Sequence, residues 1–356
     1  MEDKTTYILG EISTMKYGKL PPKQIDKGKY PIWSGYRTVG YCNEFNCAKG
    51  DVIIVARGVG GTGDVKIAKE NCYLTNLSIH VKLDCNICLP EYFYYRFLLS
   101  NLKYLDSGSA QSQITIDDLK RLTLALPPLA QQYKTVNMLR SFDNKIELNN
   151  RINHNLEEQA DGIVSSLLNV GTTVLRLSDI CKYVSQRIDC QSLTLNNYIS
   201  TENMVPSRGG VTKSSNVPTG TAIEYSSGDI LVSNIRPYFQ KIWKATYSGG
   251  CSNDVLCFRS STNSPSFLYH LLRQNSFFDH VMAGAKGSKM PRGDKAQIMN
   301  WTFVLSEDWE AMESKLSIID KKVALLRVQN LMLIELRDSV LPRLMSGELK
   351  INDLTC

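Results

Sequence analysis

The sequence predicts an α+β fold in which a globular unit followed by a long helix occurs twice. Three observations predict it. Short segments recur in the same order in the two halves of the chain. Alternating, β-branched stretches bounded by turn residues predict strands within each half. Two long segments with apolar residues at three- and four-residue steps predict helices. A chain of 356 residues can form two or three domains, each with its own core.

The internal repeat determines the predicted domain boundaries. The recurring segments are "LGEI" (9–12) and "LSDI" (177–180), "GDVIIVARG" (50–58) and "GDILVSNIR" (228–236), "YFYYRFLLSN" (92–101) and "SFLYHLLRQN" (266–275), and "SGSAQSQIT" (107–115) and "AGAKGSKMP" (283–291). We therefore expect a first globular unit at 1–127, a first helical segment at 128–170, a second globular unit at 171–305 and a second helical segment at 306–356.

The two helical segments carry matching apolar ladders. The helices are expected from Leu129 to Leu168 and from about Asp308 to Leu344. The first ladder is Leu139, Phe142, Ile146, Asn149, Asn153, Leu156, Ala160, Ile163 and Leu167; the second is Leu316, Ile319, Val323, Leu326, Asn330, Leu333, Arg337, Val340 and Leu344. This match predicts a coiled coil with Asn153 and Asn330 as register-fixing polar positions. Two separate amphipathic helices, each packed on its own domain, remain the alternative.

The stretch "RGVGGTGDVK" (57–66) has the G-x-G-x-x-G spacing of a dinucleotide-binding loop. That motif works only when a strand precedes the glycines and a helix follows them. Residues 51–56 predict a strand, but "DVKIAKENCYL" (64–74) predicts a returning strand. Asp64 and Val65 also stand where a phosphate loop needs Lys and Ser or Thr. A Gly-rich hairpin is therefore favoured, and no cofactor is expected.

Metal and membrane functions are not predicted. The ten cysteines are scattered, and Cys85 and Cys88 form the only C-x-x-C pair, with Cys42 and Cys47 as the nearby candidates for further ligands. The four histidines, His80, His154, His270 and His280, form no ligand cluster by spacing. No apolar run approaches the roughly 18 residues of a membrane span, and the N-terminus lacks a signal-peptide pattern. A cytoplasmic protein without a metal is expected.

Charge separates the same segments. The formal net charge is +6, and the excess of Lys and Arg lies in the two globular units, whereas both helical segments are slightly acidic. This distribution favours globular units that face a polyanion and helices that face protein. An ordinary solvated surface remains the alternative.

Two segments resemble a known family. "LALPPLAQQYKTVNMLRSFDNKIELNNRINHNLEEQA" (124–160) resembles the first central repeat of specificity subunits of type I restriction-modification enzymes, and "LRDSVLPRLMSGELKI" (336–351) resembles the close of their second repeat. The order of units agrees along the whole chain. The start of the second helix differs from that of the first: "LSEDWEAM" (305–312) stands where the first helix is preceded by Pro-Pro.

The resemblance implies a function. In this family each globular unit is a target recognition domain for one half of a bipartite site in double-stranded DNA. The helices form an antiparallel coiled-coil spacer and dock two methyltransferase (modification) subunits. Chemistry belongs to those subunits and to the restriction/translocase subunits, so a non-catalytic chain is expected. The sequence agrees, since it has no Asn/Asp-Pro-Pro-Tyr/Phe methyltransferase motif, Walker loop or nuclease signature. The alternative is a coiled-coil scaffold that has lost DNA recognition.

Candidate DNA contacts follow from loops rich in side chains suited to bases or phosphates. In the first unit they are Ser34, Tyr36, Arg37, Arg57, Gly60, Gln111, Ser112 and Gln113. In the second they are Ser207, Arg208, Asn234, Arg236, Tyr238, Gln240, Lys286, Ser288, Lys289 and Arg292. We expect each set to converge on one face.

Overall fold

The chain divides into two compact units. A computed structural model describes residues 4–35, 37–58, 61–106 and 112–349. The first unit comprises Met1–Glu147 and Asn330–Cys356, and the second comprises Leu148–Gln329. Two long helices each contribute residues to both units. They confirm the two predicted long helices. The first is Leu129–Asn169, and the second, Glu313–Ser346, begins after a 3₁₀-helix at Glu307–Met312 and so later than the expected start near Asp308.

The first unit is built on strands that pair antiparallel, apart from the parallel pair β3–β7, and on two short helices. Its strands are β1 (Thr5–Ile8), β2 (Ser13–Tyr17), β3 (Tyr30–Ser34), β4 (Arg37–Cys42), β5 (Val52–Val55), β6 (Val65–Ile67), β7 (Tyr73–Leu74), β8 (Ser78–Leu83) and β9 (Thr123–Leu126). Its helices are α1 (Pro90–Phe97), α2 (Ile116–Lys120), the first part of α3 (Leu129–Asn169) and the last part of the second long helix, with a 3₁₀-helix at Lys103–Leu105. The strand orders are β1-β9, β2-β8-β5-β6 and β4-β3-β7.

The core of the first unit lies between its four-stranded sheet and its helices. All four residues of β5 are buried, because this strand lies inside the sheet between β8 and β6. Phe93 of α1 and Leu139 of α3 pack into the same core, together with Leu341 and Leu344 of the second long helix. Burial of such large apolar side chains provides most of the stabilisation of a unit of this kind.

The second unit contains the remaining strands and helices. Its strands are β10 (Thr173–Arg176), β11 (Cys181–Tyr183), β12 (Arg187–Asp189), β13 (Tyr198–Ile199), β14 (Thr221–Tyr225), β15 (Ile230–Ser233), β16 (Ile242–Lys244), β17 (Gly249–Cys251), β18 (Val255–Ser260) and β19 (Thr302–Leu305). Its helices are the last part of α3, α4 (Leu177–Ile180), α5 (Pro265–Leu272), α6 (Asn275–Ala283), α7 (Lys295–Met299) and the first part of α8 (Glu313–Ser346), with 3₁₀-helices at Cys190–Ser192, Pro237–Phe239 and Glu307–Met312. The strand orders are β10-β19, β11-β18-β15-β16 and β12-β14-β17-β13.

Strand order confirms the predicted internal repeat. The sheet β2-β8-β5-β6 has the same antiparallel arrangement as β11-β18-β15-β16, and the pair β1-β9 corresponds to β10-β19. The registers also correspond, since Ile53 faces His80 in the first unit and Leu231 faces Cys257 in the second. The third sheet differs, with three strands in the first unit and four in the second.

The apolar ladders lie on the packed faces of the long helices. Every position of both predicted ladders is buried or half-buried. Asn153 and Asn330 are 6% and 7% exposed, so both polar ladder positions are inside the packed face. Pro342 lies within the last part of α8.

Within the described part of the chain, no helix combines the length and the apolar character that crossing a bilayer requires.

Candidate nucleic-acid interface

Arg57 lies just beyond β5 and is held by its backbone. The amides of Ala56 and Arg57 both donate to the carbonyl of Leu77, over 2.9 and 3.2 Å. Arg57 also forms an isolated β-bridge with Gln113, and the amide of Ile114 donates to the carbonyl of Ala56 over 3.0 Å. The Arg57 side chain is exposed. A fixed backbone therefore presents a cation at the end of the strand.

The glycine-rich stretch is a hairpin, as the sequence predicted. β5 pairs antiparallel with β6, and no helix follows the glycines. Gly63 has φ +92°, and an added Cβ there would lie 2.5 Å from the amide nitrogen of Lys103. This glycine therefore permits both the turn and a close backbone approach. The arrangement lacks the helix N-terminus that a dinucleotide pyrophosphate requires.

Two further predicted segments lie beside Arg57. Between Ser34 and Arg37 the chain turns at Gly35, where an added Cβ would lie 3.6 Å from the Arg57 carbonyl oxygen. Ser112 donates its hydroxyl to Asp106 over 2.6 Å, and the amide of Gln113 donates to the same carboxylate over 2.8 Å.

The structure thus brings together the described candidates of the first unit, Ser34, Arg37, Arg57, Ser112 and Gln113. Tyr36, Gly60 and Gln111 lie outside the described residues. Asp106, which holds Ser112 and Gln113 in place, was not predicted, because nothing in its sequence neighbourhood distinguishes it from a surface carboxylate.

Two predicted loops of the second unit are joined through their backbones. Arg236 and Gln240 flank the short 3₁₀-helix Pro237–Phe239, and both have the left-handed backbone conformation, with φ of 50° and 49°. The amide of Ser207 donates to the carbonyl of Phe239 over 2.8 Å, and that of Arg208 donates to Gln240 over 3.0 Å.

A third loop joins the same group. The amide of Arg236 donates to the carbonyl of Pro291 over 2.8 Å, and Ile235 forms a β-bridge with Arg292. Arg292 is exposed and pairs with Asp254, while Lys286 pairs with Asp294. Ser288 and Lys289 are exposed in this loop, and Tyr238 is 51% exposed in the neighbouring one. Three segments distant in sequence therefore form one surface.

Asn275 connects two of these loops. Its side-chain oxygen accepts from the Arg208 guanidinium over 2.6 Å and from the Gln240 amide over 3.3 Å. Burial lowers the pKa of Arg208, and the nearby charge of Arg273 lowers it further. The Nε atoms of Arg208 and Arg236 are buried without a hydrogen-bond partner in the described part of the chain. Sequence reasoning missed Asn275, because it lies at the start of α6, away from the loops.

Asn234 is the predicted contact whose side chain is directed inward. It is 8% exposed, and its amide donates to the carbonyl of Gly293 over 3.2 Å. An added Cβ at Gly293 would lie 2.9 Å from the Asn234 side-chain oxygen. Asn234 therefore holds the third loop against the second one. Its spacing after a strand did not reveal this orientation.

The expectation that no histidine joins a ligand cluster is wrong for His80. Cys47, Asp51 and His80 place their ligand atoms within 4.8 Å of one another. Cys85 and Cys88, the only C-x-x-C pair, are exposed and buried respectively. The register of β5 against β8 brings His80 beside the turn that contains Cys47 and Asp51, and no local spacing predicts that proximity.

Comparison with known families identifies the first domain. Residues 1–158 match the family model described as "Type I restriction modification DNA specificity domain". Residues 1–158 are therefore similar to such a specificity domain. The resemblance to specificity subunits of type I restriction-modification enzymes is thereby confirmed.

Known proteins similar to this chain support the assignment. The chain is 30% identical over 127 residues to the type I restriction enzyme HindI specificity subunit of Haemophilus influenzae, covering 33% of this chain and 28% of that protein. A second specificity-subunit relative from the same organism is 29% identical over 96 residues, covering 27% of this chain and 24% of the relative. These matches span about a quarter of the length of either relative.

A solved structure shares the fold over almost the whole chain. The S subunit of a type I restriction-modification system from M. genitalium is 17% identical to this chain and superposes with a TM-score of 0.58. The match covers 96% of each chain. The fold of the chain is therefore similar to that of a solved structure.

Proposed function

We propose that this chain is the sequence-specific DNA-recognition subunit of a type I restriction-modification complex. In this proposal the domains at 1–127 and 171–305 each recognise one half of a bipartite site in double-stranded DNA. The observation that carries the proposal is the convergence of distant loops in each of two equivalent units, together with the match of residues 1–158 to the specificity-domain family model.

The loops have side chains suited to DNA. Arg57 in the first unit lies two residues after the central strand β5, and Arg236 in the second lies three residues after the equivalent strand β15. An arginine can pair with O6 and N7 of guanine or with a phosphate. Lys289 and Arg292 add exposed cations to the second surface. Backbone hydrogen bonds between loops keep these groups in place before DNA binds, which reduces the entropy lost on binding.

The segments at 128–170 and 306–356 form an antiparallel coiled-coil spacer in this proposal. Side-chain contacts support it. As the residue number rises along α3, the number of the contacting residue on α8 falls, as expected for antiparallel helices. In the first unit Arg337 donates to Asp143 over 2.6 Å; in the second, Gln329 accepts from Asn149 over 2.8 Å and Arg327 donates to Glu157 over 2.7 Å. Asn153 and Asn330 fix the register, since a buried amide tolerates few alternative pairings.

The outer side of α8 is the proposed docking site for two methyltransferase subunits. Along this helix several large apolar side chains are about half to two-thirds exposed: Ile318, Leu325, Val328, Leu331, Met332 and Leu336. Exposed apolar stripes on a helix mark protein-interaction surfaces. Methyl transfer belongs to those subunits and cleavage to restriction/translocase subunits, while this cytoplasmic chain itself is non-catalytic.

Methylation mapping tests the proposal. Motif-resolved sequencing of the host genome, with and without this gene, should show one bipartite methylated motif that disappears when the gene is deleted. Exchanging residues 1–127 for the domain of another family member should change one half of that motif. An unchanged methylation pattern, together with no salt-dependent, sequence-selective DNA binding by the assembled complex, would instead indicate a scaffold.

A further inference from the structure

Three potential metal ligands converge in the first unit, and Cys72 lies beside one of them. The ligand atoms of Cys47, Asp51 and His80 lie within 4.8 Å of one another. His80 Nε2 is 2.8 Å from Asp51 Oδ2, and Cys47 forms an isolated antiparallel β-bridge with Cys72. The four residues come from a turn before β5, from the segment before β7, and from β8.

Backbone hydrogen bonds fix the positions of these ligands. The amide of Cys47 donates to the carbonyl of Cys72 over 3.1 Å, and the reverse bond is 3.0 Å. Beside them, the Leu74 amide donates to the Asn46 side chain over 2.7 Å, and the Ala68 amide donates to the Asp51 carbonyl over 3.0 Å. The turn at 46–51 is therefore attached to the segment at 68–74, and the ligands are preorganised.

We propose that Cys47, His80 and Asp51 bind a zinc ion and that the Cys72 thiolate turns in beside Cys47 as the fourth ligand. Two thiolates, one imidazole and one carboxylate would make a four-ligand set that suits tetrahedral zinc. Magnesium and calcium prefer sites made of oxygen atoms alone. Cys47 and Cys72 are buried, whereas the side chains of Asp51 and His80 are 21% and 19% exposed, so an ion can enter from the carboxylate and imidazole side.

The second unit has a different arrangement at the equivalent place. Register makes Asp229 equivalent to Asp51 and Cys257 equivalent to His80. There the guanidinium of Arg259 donates to both oxygens of Asp229, over 2.7 and 2.6 Å. An arginine cannot act as a metal ligand, and its charge repels a cation. We therefore expect one zinc ion per chain, bound in the first unit.

The site connects to the strand that leads into the loops beside Arg57. Trp33 of β3 pairs in register with Leu74 of β7 and packs against the small core that contains Cys47 and Cys72. A metal bound to Cys72 would stabilise β7 and, through it, the end of β3 at Ser34. Metal binding does not depend on whether these loops contact DNA, so its test stands apart from that of the proposed function.

Titration with Co²⁺ followed by Zn²⁺ tests the site. The purified full chain is treated with a chelator, dialysed, and titrated with Co²⁺ while its visible spectrum is recorded. We expect one equivalent to produce the d–d and sulfur-to-cobalt bands of tetrahedral thiolate ligation, and one equivalent of Zn²⁺ to remove them. Cys47→Ser and His80→Ala should weaken binding by at least roughly 100-fold. Cys85→Ser, which replaces an exposed thiol outside the cluster, is the matched control and should leave binding unchanged.

Alkylation of the unmutated chain keeps the test valid if a variant fails to fold. Zn²⁺ should slow iodoacetamide labelling of Cys47 and Cys72, measured by mass spectrometry, and leave Cys85 unaffected. Four outcomes would overturn the proposal: absence of the cobalt spectrum, equal labelling with and without Zn²⁺, undiminished binding by folded His80→Ala, or a Cys47–Cys72 disulfide in place of a bound metal.

Discussion

His270 Nε2 lies 2.9 Å from Asp320 Oδ1, at the place where α5 packs against α8. The other ring nitrogen, Nδ1, lies 2.7 Å from Asp161 Oδ1 on α3. His270 is fully buried; burial by itself lowers its pKa, but the hydrogen bonds to the two aspartates outweigh that effect and raise it. Arg273 also donates to Asp161, and Lys244 donates to Asp320. An imidazolium thus joins both long helices to the second domain.

The pH dependence of unfolding should reveal this ion cluster. His270 has a raised folded pKa, so its contribution is fully present below the unfolded value of about 6.5 and is lost as pH rises through the folded pKa. Although burial opposes the effect, hydrogen bonds lower the pKa of Asp161 and Asp320, so their contribution is present above about pH 3.9 and is lost as pH falls through the folded values. We expect urea unfolding of the second unit to show greatest stability between these limits.

Substitution of His270 distinguishes its contribution to stability from that of the two aspartates. His270→Ala leaves two largely buried carboxylates without this cation and should cost about 3 kcal/mol at pH 6 in urea unfolding. The decline on the alkaline side should become shallower. His154→Ala, at an exposed histidine, is the control and should change neither quantity. An alkaline decline as steep in His270→Ala as in the unmutated chain would contradict the assigned role.

Tyr95 makes the corresponding contact in the first unit. It occupies the same place in α1 as His270 does in α5, counted from the proline at the start of each helix. Its hydroxyl donates to Asp143 over 2.6 Å, and Arg337 donates to the same carboxylate. Tyr95→Phe should lower the unfolding free energy of the first unit by about 1.5–3 kcal/mol, the usual contribution of a hydrogen bond to a charged group. Tyr133→Phe, at a tyrosine that is 53% exposed, should have little effect.

Arginine substitutions test the two proposed recognition surfaces. In the assembled methyltransferase, Arg57→Ala and Arg236→Ala should each weaken binding by about 1–3 kcal/mol and relax one half-site if the contact is to guanine. A phosphate contact would instead weaken all sequences alike and lower the salt slope by about one unit. Lys69→Ala, at the opposite end of the β5–β6 pair, is the control. DNA binding that is unchanged in both folded arginine variants would argue against these surfaces.

Spacer length tests the coiled coil. One heptad inserted into each helix, between Asn149 and Asn153 and between Leu326 and Asn330, adds about 10 Å at 1.5 Å per residue. The gap of unrecognised base pairs between the two half-sites of the methylated motif should lengthen by about three base pairs, because each base pair rises about 3.4 Å. The sequences of both half-sites should stay the same. Sequencing of methylated DNA measures the gap. An unaltered gap in an active double-insertion variant would exclude the spacer role.

Periodic features of the molecule could be predicted from its sequence. The repeat fixed the equivalent strands β5 and β15, and the ladders fixed the packed faces of α3 and α8, because regular spacing along the chain becomes a face in space. The ion cluster could not be predicted, since His270 and Asp161 are 109 residues apart and meet only after folding. The side chain of Asn234 is of a type that contacts DNA bases, yet its inward orientation depends on Gly293, which lies on another loop.

Because of how the chain is divided, the cores of the two units are completed at different times during synthesis. The second unit is one continuous stretch, Leu148–Gln329. The first unit combines Met1–Glu147 with Asn330–Cys356, and its core includes Leu341 and Leu344 of α8. Part of the apolar core of the first unit therefore stays uncovered until the whole second unit and then Leu341 and Leu344 have been translated.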